Sequence, residues 1–325
     1  MQRRVAFLGV MLLVCAYADV LAQQYPAKGL RLIMPYPAGG STDIVGRLIA
    51  ERMTVSLGQI VLVDNRPGAS AQIGTEAAAK APADGYTLLM ATSTNVINHA
   101  LNAKAPYDFT RDFQPIALIA KAAQILVVHP SVPARTVRDF IAFAKTRPGQ
   151  LTYSSSGSGT SGHLAMEAFA REAKITPVHV PYKGNAPALN DLVGGQVAAG
   201  FINVVSGLPH VQSGRLNALG VSSVKRSALA PAVPTIAELG FPGFDVTAWF
   251  GIMAPTGTSP NIIARLNQEI TGILHNRQVQ ERLLGLGVDR APIDSVKEFA
   301  DFLHTDTQRW TRLVREIGLA PEQKE

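Results

Sequence analysis

Short apolar segments alternate with longer amphipathic segments along most of this chain. The apolar segments have the length and the Val, Ile and Leu content of strands, and they predict strands over 30–36, 59–64, 86–92, 116–119, 125–129, 151–155, 178–182, 199–205, 217–221 and 246–253. The amphipathic segments carry apolar residues at helical spacing, and they predict helices over 43–57, 74–81, 136–145, 163–174, 187–194, 259–276, 277–285 and 295–318. Strands that alternate with helices favour an α/β fold with a buried parallel sheet.

The pattern begins again near the middle of the chain. The second half repeats the strand and helix order of the first half without obvious sequence identity, and no Ser/Gly-rich linker separates the two. This organisation predicts two α/β lobes between which the chain crosses more than once. A single large sheet with two unrelated loops is the alternative.

Two predicted strands end in turns that are rich in glycine and hydroxyl side chains and that open helices. We name residues 35–43 the first turn and residues 155–163 the second turn. The N–H groups at a helix start lack partners and carry a partial positive charge, and glycine lets a ligand approach them closely. In α/β folds the ligand crevice lies at the carboxyl ends of strands, so the pair predicts an anion held from two sides. Taken alone, each turn is also consistent with an ordinary well-capped helix.

The second turn allows two enzymatic interpretations. Its Gly157-Ser-Gly-Thr-Ser-Gly162 matches the fingerprint of dinucleotide sites, but the next strand ends at Pro181-Tyr182-Lys183 without the acidic residue that would hold the ribose. Ser158, Ser161 and His163 suggest a serine hydrolase, but the segment lacks the G-x-S-x-G spacing of a nucleophile elbow. Binding of a carboxylate requires neither feature and is the interpretation that we favour.

The N-terminus predicts export. Met1-Gln-Arg-Arg4 precedes an apolar run over 5–18 and the small residues that end at Ala22, so we expect a signal peptide over 1–22 and a periplasmic location. The single cysteine, Cys15, lies within this segment, which leaves no thiol chemistry to the processed protein.

Composition excludes several classes of protein. The formal net charge is +6, and charged residues form 17% of the chain. The sequence has no Lys/Arg-rich run with aromatic residues interspersed in it. Nucleic-acid binding is therefore not expected, whereas a mild positive field would help to collect a small anion. The histidines lack metal-ligand spacing, so we expect no metal and no cofactor.

The first and second turns, together with further motifs, make the chain resemble the Bug-type periplasmic solute-binding proteins, the receptors of tripartite tricarboxylate transporters. The resemblance covers nearly all of the chain after residue 22. It depends on an ordered set of motifs: Pro35-Tyr-Pro-Ala-Gly-Gly-Ser-Thr-Asp43, Asn65-Arg-Pro-Gly-Ala69, Ile73-Gly-Thr75, Asp84-Gly-Tyr86, Gly157-Ser-Gly-Thr160, His163-Leu164, Tyr182-Lys-Gly184, Gly195-Gln-Val197, Leu208-Pro-His210, Val233-Pro-Thr235, Trp249-Phe-Gly251 and Ala254-Pro255.

The resemblance implies a two-lobed Venus-flytrap fold, in which two doubly wound sheets enclose a ligand cleft. Residues 23–122 and 224–325 would form one lobe, and residues 123–223 the other. It further implies a receptor without enzymatic activity, which as a monomer passes a small organic anion to membrane permease subunits. The candidate anions are di- or tricarboxylates, nicotinate-like acids and acidic amino acids. An exported hydrolase and a receptor for a sensor kinase are the alternatives.

The resemblance also implies which residues bind the ligand, through N–H groups, hydroxyls and ordered waters rather than an arginine. Carried over by position, they are Tyr36, Ala38, Gly39, Ser41, Thr42, Asp43, Gly68, Ala69, Ser93, Ser158, Gly159, Thr160, His163, Tyr182 and Asn203. One departure matters, because many relatives resemble Phe-Asp-Asn where this chain has Phe201-Ile-Asn203. Loss of that acidic residue counts against an amino-acid ligand, and we expect Ile202 and Asn203 to influence which carboxylate is preferred.

Overall fold

The structure is a computed structural model that describes residues 25–101, 105–286 and 288–319. The predicted signal peptide over 1–22 lies outside these residues. Within the described ranges, every helix is too short or too polar to cross a membrane.

The chain alternates strands and helices through both halves. The strands are β1 (Leu30–Met34), β2 (Val61–Asn65), β3 (Thr87–Thr92), β4 (Phe113–Val128), β5 (Thr152–Ser155), β6 (Val178–Pro181), β7 (Ala199–Asn203), β8 (Asn217–Val221), β9 (Thr247–Pro255) and β10 (Asp289–Arg290). The helices are α1 (Ser41–Leu57), α2 (Gln72–Ala79), α3 (Ser93–Leu101), α4 (Phe109–Asp112), α5 (Val137–Lys145), α6 (Ser161–Ala173), α7 (Asn185–Val193), α8 (Val204–Gln212), α9 (Pro260–His275), α10 (Arg277–Gly285) and α11 (Val296–Glu316).

The strands form two sheet sections that share β4. The hydrogen-bonded order is β2-β1-β3-β9-β4-β7-β5-β6, and β8 and β10 also pair with β4. We call the part built on β1, β2, β3, β9, β10 and the first residues of β4 the first lobe. The part built on β5 to β8 and the last residues of β4 is the second lobe. The two-lobed α/β fold expected from the sequence is thereby confirmed.

Strand β4 is the main connection between the lobes. Its Ala123 pairs with Thr247 of β9, and the next residue, Gln124, pairs with Asn203 of β7. The sequence predicted two strands here, over 116–119 and 125–129, and this was wrong because Lys121 and Gln124 interrupt the apolar pattern. Both polar residues are accommodated within the one strand, since Lys121 Nζ lies 4.3 Å from the centre of the Phe302 ring and Gln124 is hydrogen-bonded. The change of partner lies next to the predicted lobe boundaries, which stay a prediction.

The sheets are mixed rather than wholly parallel. Strand β1 runs parallel to β2 and β3, and β5 runs parallel to β6 and β7. The two long strands β4 and β9 run antiparallel to each other and to their other neighbours. Parallel strands place their carboxyl ends on one edge, so β1, β3, β5 and β7 all end toward the region between the lobes.

Alternating side chains of β4 separate the core into layers. In the second lobe, Leu126 and Val128 join a large cluster with Phe169 and Phe201, whereas Ile125 and Val127 pack on the opposite face of the sheet with Leu192. A further cluster packs α1 and α9 against the first lobe's sheet. These layers hold the strand ends rigidly in place, as a ligand site requires.

Two helices beside the cleft were not predicted. Helix α3 begins at Ser93, directly after the predicted strand 86–92, and α8 begins at Val204, within the predicted strand 199–205. The apolar run continues from β7 into α8, and a short apolar run is consistent with either a strand or a buried helix. The sequence pattern therefore does not mark where the strand ends and the helix begins.

Candidate functional site

A central cavity lies between the lobes where the strands end. The volume within it that admits a water-sized molecule is about 40 Å³. The first lobe contributes Tyr36, Pro37, Gly40, Ser41, Thr42, Thr92, Ser93, Thr94, Ala248 and Phe250, and the second lobe contributes Ser156, Ser161, Asn185, Ala186 and Asn203. Among the described residues, none of these lining side chains carries a formal charge, so the groups that would touch a ligand act through backbone and side-chain dipoles.

Five helices begin at this cavity. Ser41, Ser93, Ser161 and Asn185 are the first residues of α1, α3, α6 and α7, and Asn203 immediately precedes α8. The starts of α1, α6, α7 and α8 lack a capping hydrogen bond from a side chain. Each helix start presents N–H donors and a partial positive charge. The cavity is therefore suited to an anion although, among the residues that the structure describes, no cationic side chain lines it.

The first turn is held from behind by Asp43. Its carboxylate accepts from Gly39 N at 3.0 Å, from Arg47 Nε at 2.9 Å and from Asn65 Nδ2 at 2.9 Å. Burial alone would raise the pKa of Asp43, but the hydrogen bonds from these three donors outweigh burial and keep the pKa below its usual value. Asp43 is thus an ionised support of the turn and does not line the central cavity.

The second turn is held in a similar way by His163. Its Nδ1 accepts from Gly159 N at 3.1 Å, and its ring lies 4.1 Å from that of His179, which stacks in turn on Tyr153. Burial lowers the pKa of His163 to about 3, with a smaller contribution from the neighbouring His179, and burial lowers the pKa of His179 to about 4. Both rings are therefore neutral near pH 7, which the acceptor role of His163 requires.

One hydrogen bond joins the lobes across the central cavity. Asn203 Nδ2 lies 2.6 Å from Ser41 Oγ, and Asn203 Oδ1 accepts from the side chain of Gln124. Nearby, the Ser93 hydroxyl is 1% exposed and has no hydrogen-bond partner among the described residues. A buried hydroxyl without a partner is costly, and a ligand in the cavity would supply one.

An outer cavity adjoins the central one and shares Tyr36, Pro37 and Ser156 with it. It is lined by the 68–71 loop of the first lobe and by residues 157–158 and 181–184 of the second. In this loop Ala69, Ser70 and Ala71 have φ of 45°, 51° and 75°, a left-handed conformation that non-glycine residues seldom adopt. Asn98 Nδ2 holds the loop through the Ser70 carbonyl at 2.6 Å. Such strain commonly occurs at ligand sites.

The structure separates the residues selected from the sequence into three groups. The central cavity brings together Tyr36, Ser41, Thr42, Ser93 and Asn203, and the outer cavity brings together Gly68, Ala69, Ser158 and Tyr182. The remaining selected residues line neither of these cavities: Ala38 and Gly39 are exposed, and Asp43, Gly159, Thr160 and His163 are buried in the backs of the turns. The Tyr182 hydroxyl donates to Asp191 Oδ2 at 2.6 Å.

Ile202 does not occupy the position expected for a residue that contacts the ligand. Its side chain is 1% exposed and packs in the apolar layer with Ile125 and Leu192. Along β7, side chains alternate between faces, so Asn203 faces the cavity and Ile202 faces the core. Ile202 is therefore placed to act on ligand choice through packing and not by lining the cavity, and its influence on which carboxylate is preferred stays a prediction.

Sequence reasoning missed much of the cavity wall. The missed residues are Pro37, Gly40, Thr92, Thr94, Ser156, Ser161, Asn185, Ala186, Ala248 and Phe250. Polar residues at strand ends were a usable signal for Thr92, Thr94 and Asn185, which lie in segments that look like ordinary turns. Ala248 and Phe250 lie inside a strand, where no local pattern distinguishes a cavity wall from the core.

The described residues also bear on the metal and hydrolase interpretations. Throughout these ranges, no group of three or more His, Cys, Asp or Glu side chains is arranged to hold a metal ion. His163 Nδ1 is engaged by Gly159 N and not by a serine. The Ser155 hydroxyl does lie 2.7 Å from His179 Nε2, but Ser155 is 1% exposed and lines neither cavity.

Comparison with known proteins agrees with this geometry. The sequence model of the tripartite tricarboxylate transporter family receptor matches residues 45–319. The protein BugT of Bordetella pertussis is 39% identical, over 98% of this chain and 98% of its own length.

Solved structures match over most of the chain as well. Rpa4515 of R. palustris with adipate has a TM-score of 0.88 and 34% identity over 91% of this chain and 99% of its own. The periplasmic binding protein BugD has a TM-score of 0.87 and 29% identity with the same coverage. MatC from Rhodopseudomonas palustris with bound malate has a TM-score of 0.85 and 30% identity over 89% of this chain and 100% of its own.

Proposed function

Because this chain belongs to the tripartite tricarboxylate transporter receptor family, we propose that it is a periplasmic receptor that binds a small organic carboxylate and delivers it to a membrane permease. The family is one of solute-binding receptors, so the chain is a receptor and not an enzyme, and the hydrolase alternative is set aside. A periplasmic location is supported by the predicted signal peptide over 1–22 and by the similarity to BugD.

The observation that carries the proposal is the convergence of five helix starts on an uncharged cavity between two lobes. Each helix N-terminus stabilises an anion by about 0.3–1 kcal/mol, and by more where water is excluded. Several such contributions add to the direct hydrogen bonds from N–H groups and hydroxyls. A carboxylate has the charge and the acceptor capacity that this wall can satisfy.

The two cavities suggest how a longer ligand is accommodated. The carboxylate lies in the central cavity, and the rest of the molecule extends past Tyr36 and Pro37 toward the outer cavity. Similar structures with adipate and malate support a dicarboxylate as the first ligand class to test. Among the described residues, the central wall has no carboxylate to pair with the ammonium group of an amino acid.

Calorimetric titration of the purified processed protein tests the proposal directly. The ligands are adipate, malate, citrate, nicotinate and glutamate, and we expect at least one of the first three to bind. The variant Ser161→Asp places a negative charge at the start of α6 inside the cavity, and we expect it to abolish carboxylate binding. Ser259→Asp adds the same charge at the start of α9, outside the cleft, and should bind as the wild type does. A folded wild-type protein that binds none of the five ligands would contradict the proposal.

A further inference from the structure

Gln124 lies behind the central cavity at the point where β4 passes from one lobe to the other. Its side chain is 2% exposed and does not line the cavity. The chain passes between the lobes again near Ser222, and the two segments are hydrogen-bonded to each other there. Gln124 N donates to Ser222 Oγ at 2.9 Å, and Ser222 N donates to the Gln124 carbonyl at 2.8 Å. The backbone from which the Gln124 side chain extends is therefore held in place by the second segment.

The side-chain amide of Gln124 donates toward two residues of the cavity wall. Its Nε2 lies 3.2 Å from Ser161 Oγ and also donates to Asn203 Oδ1. Because Asn203 Oδ1 faces this donor, the Asn203 Nδ2 group faces the opposite way and donates to Ser41 Oγ at 2.6 Å. One buried amide thus orients groups on the first residues of α1 and α6.

The direction of these hydrogen bonds determines where two protons point. A serine hydroxyl has one proton to donate, and its oxygen accepts. Ser161 and Ser41 both accept from an amide, and within the described residues neither hydroxyl donates to another protein group. Both hydroxyl protons are consequently free to be donated into the cavity.

We infer that Gln124 is a positioning residue that makes the Ser41 and Ser161 hydroxyls hydrogen-bond donors toward a bound carboxylate. The inference rests on the proposed function, and it identifies Gln124 as the residue that makes the two cavity hydroxyls donors rather than acceptors. An acceptor-only ligand group gains two donors, whereas a ligand ammonium finds both oxygens already engaged by amide N–H groups. Gln124 therefore favours carboxylates without touching them.

The decisive variant is Gln124→Glu, which replaces the donor by an acceptor of the same size. In its ionised form, at the upper end of a titration from pH 9 to pH 5, the introduced carboxylate cannot donate, so Ser161 and Asn203 turn their protons toward it. We expect the carboxylate that binds wild type most tightly among adipate, malate and citrate to bind this variant at least tenfold more weakly. Burial raises the pKa of a carboxyl group. As the pH is lowered to 5 the introduced group becomes protonated and able to donate, and the ratio of variant to wild-type affinity should recover.

The pH profile is interpretable because the surrounding titratable groups are known. The pKa of Asp43 on α1 is held below its usual value, that of His163 on α6 is lowered to about 3, and burial raises that of Tyr36. On the hinge side, burial raises the pKa of Asp245 and lowers that of Lys121. Any contribution from these groups, and from protonation of the ligand, is removed by taking the ratio to wild type at each pH.

Gln114→Glu is the matched control. Gln114 lies in the same strand and also donates through Nε2, to the Thr258 carbonyl at 2.7 Å, away from the cavity. This variant should keep wild-type affinity at every pH. Gln124→Met removes the donor without adding charge, and we expect weaker binding whose ratio to wild type is independent of pH.

Three results would overturn the inference. Wild-type affinity of Gln124→Glu at every pH from 9 to 5 would mean that the amides face the other way. A deficit that stays constant from pH 9 to pH 5 would indicate a structural defect alone. If Gln124→Glu does not fold, as thermal unfolding would reveal, wild-type affinity of Gln124→Met is the contradicting result. A wild type and a Gln114→Glu variant that bind no carboxylate would instead contradict the proposed function itself.

Discussion

Asn203 of the second lobe donates a hydrogen bond to Ser41 of the first lobe over 2.6 Å, beside the start of α1. The bond joins the two lobes at a hydroxyl that lines the central cavity. Because we propose that the ligand is enclosed between the lobes, we expect the residues that join the lobes to contribute to affinity.

Removal of the Asn203 side chain should weaken ligand binding. In Asn203→Ala, the bond between the lobes is lost and the Gln124 amide loses one acceptor, so we expect affinity to fall about tenfold or more, as for a buried hydrogen-bonding group left without its partner. Calorimetric titration with the tightest-binding carboxylate measures the change. Asn217→Ala, in the same lobe but away from the cleft, is the control, and an equal loss in both variants would argue against the role of Asn203.

A matched pair of glycine variants tests the contact between the lobes at Gly159. A Cβ added at Gly159 would lie 2.7 Å from Leu101 Cδ1 and 2.9 Å from Asn98 Oδ1 of the first lobe, whereas a Cβ at Gly214 meets nothing within 4 Å. The two residues have nearly the same φ, 74° and 72°, so alanine introduces a similar backbone strain of about 1 kcal/mol at either place.

Both glycine variants should therefore lose similar stability in chemical unfolding. Only Gly159→Ala should also force the Leu101 and Asn98 side chains of the first lobe to move. Because Asn98 holds the 68–71 loop, we expect ligand affinity to fall by about fivefold in this variant alone, as for one lost hydrogen bond. Unchanged affinity in Gly159→Ala would show that this contact between the lobes does not support the ligand site.

The carboxylate of Asp43 should stabilise the fold in a pH-dependent way. Its pKa is lower in the folded protein than in the unfolded chain, so its contribution is present above about pH 4 and is lost as the pH falls through the folded value. Asp43→Asn should lower the free energy of unfolding by about 1–3 kcal/mol at pH 7, since a carboxylate that accepts three hydrogen bonds is removed. Urea unfolding measures this, and Asp301→Asn, which removes only an exposed ion pair with Lys297, should change it little.

The free energy of unfolding should decrease under mildly acidic conditions because of the stacked histidines His163 and His179. The pKa values of His163 and His179 lie far below the usual 6.5, so the unfolded chain binds protons that the folded protein does not, and stability falls as the pH decreases from 6.5 toward 4. His179→Phe keeps a ring in the stack and removes one titrating group. Its unfolding free energy should depend less steeply on pH, by up to about 1.4 kcal/mol per pH unit. The exposed control His304→Gln should reduce this pH dependence less than His179→Phe does. An unchanged pH dependence in His179→Phe, or an equal reduction in the control, would contradict the conclusion that the stacked histidines cause the loss of stability.

The sequence predicts the turns well because their signals are local. Glycine, serine and threonine after a strand predicted the starts of α1 and α6, and the structure places Ser41 and Ser161 at the cavity wall. The resemblance selected Asp43 and His163 for the ligand, although both side chains hydrogen-bond to the backbone of their own turns. A short polar side chain at a helix start satisfies either role, and the local pattern does not distinguish the two.

Long-range contacts could not be predicted from local patterns. Gln124 reaches Ser161 and Asn203, which lie 37 and 79 residues further along the chain, through a strand that was expected to be interrupted at this point. Likewise, whether Ile202 or Asn203 faces the cavity depends on the register of β7 against β4, because a shift of one residue reverses the faces. Register is decided by packing of the whole sheet and not by the residues nearby.

The central claim is that a carboxylate is bound by helix N-termini in a cavity without charged side chains. A crystal structure of the processed protein with the tightest-binding carboxylate tests this most directly. We predict that its carboxylate oxygens lie within hydrogen-bonding distance, directly or through one water, of N–H groups and hydroxyls at the starts of α1 and α6. A carboxylate paired with a lysine or arginine side chain, or bound outside the cleft, would contradict the account.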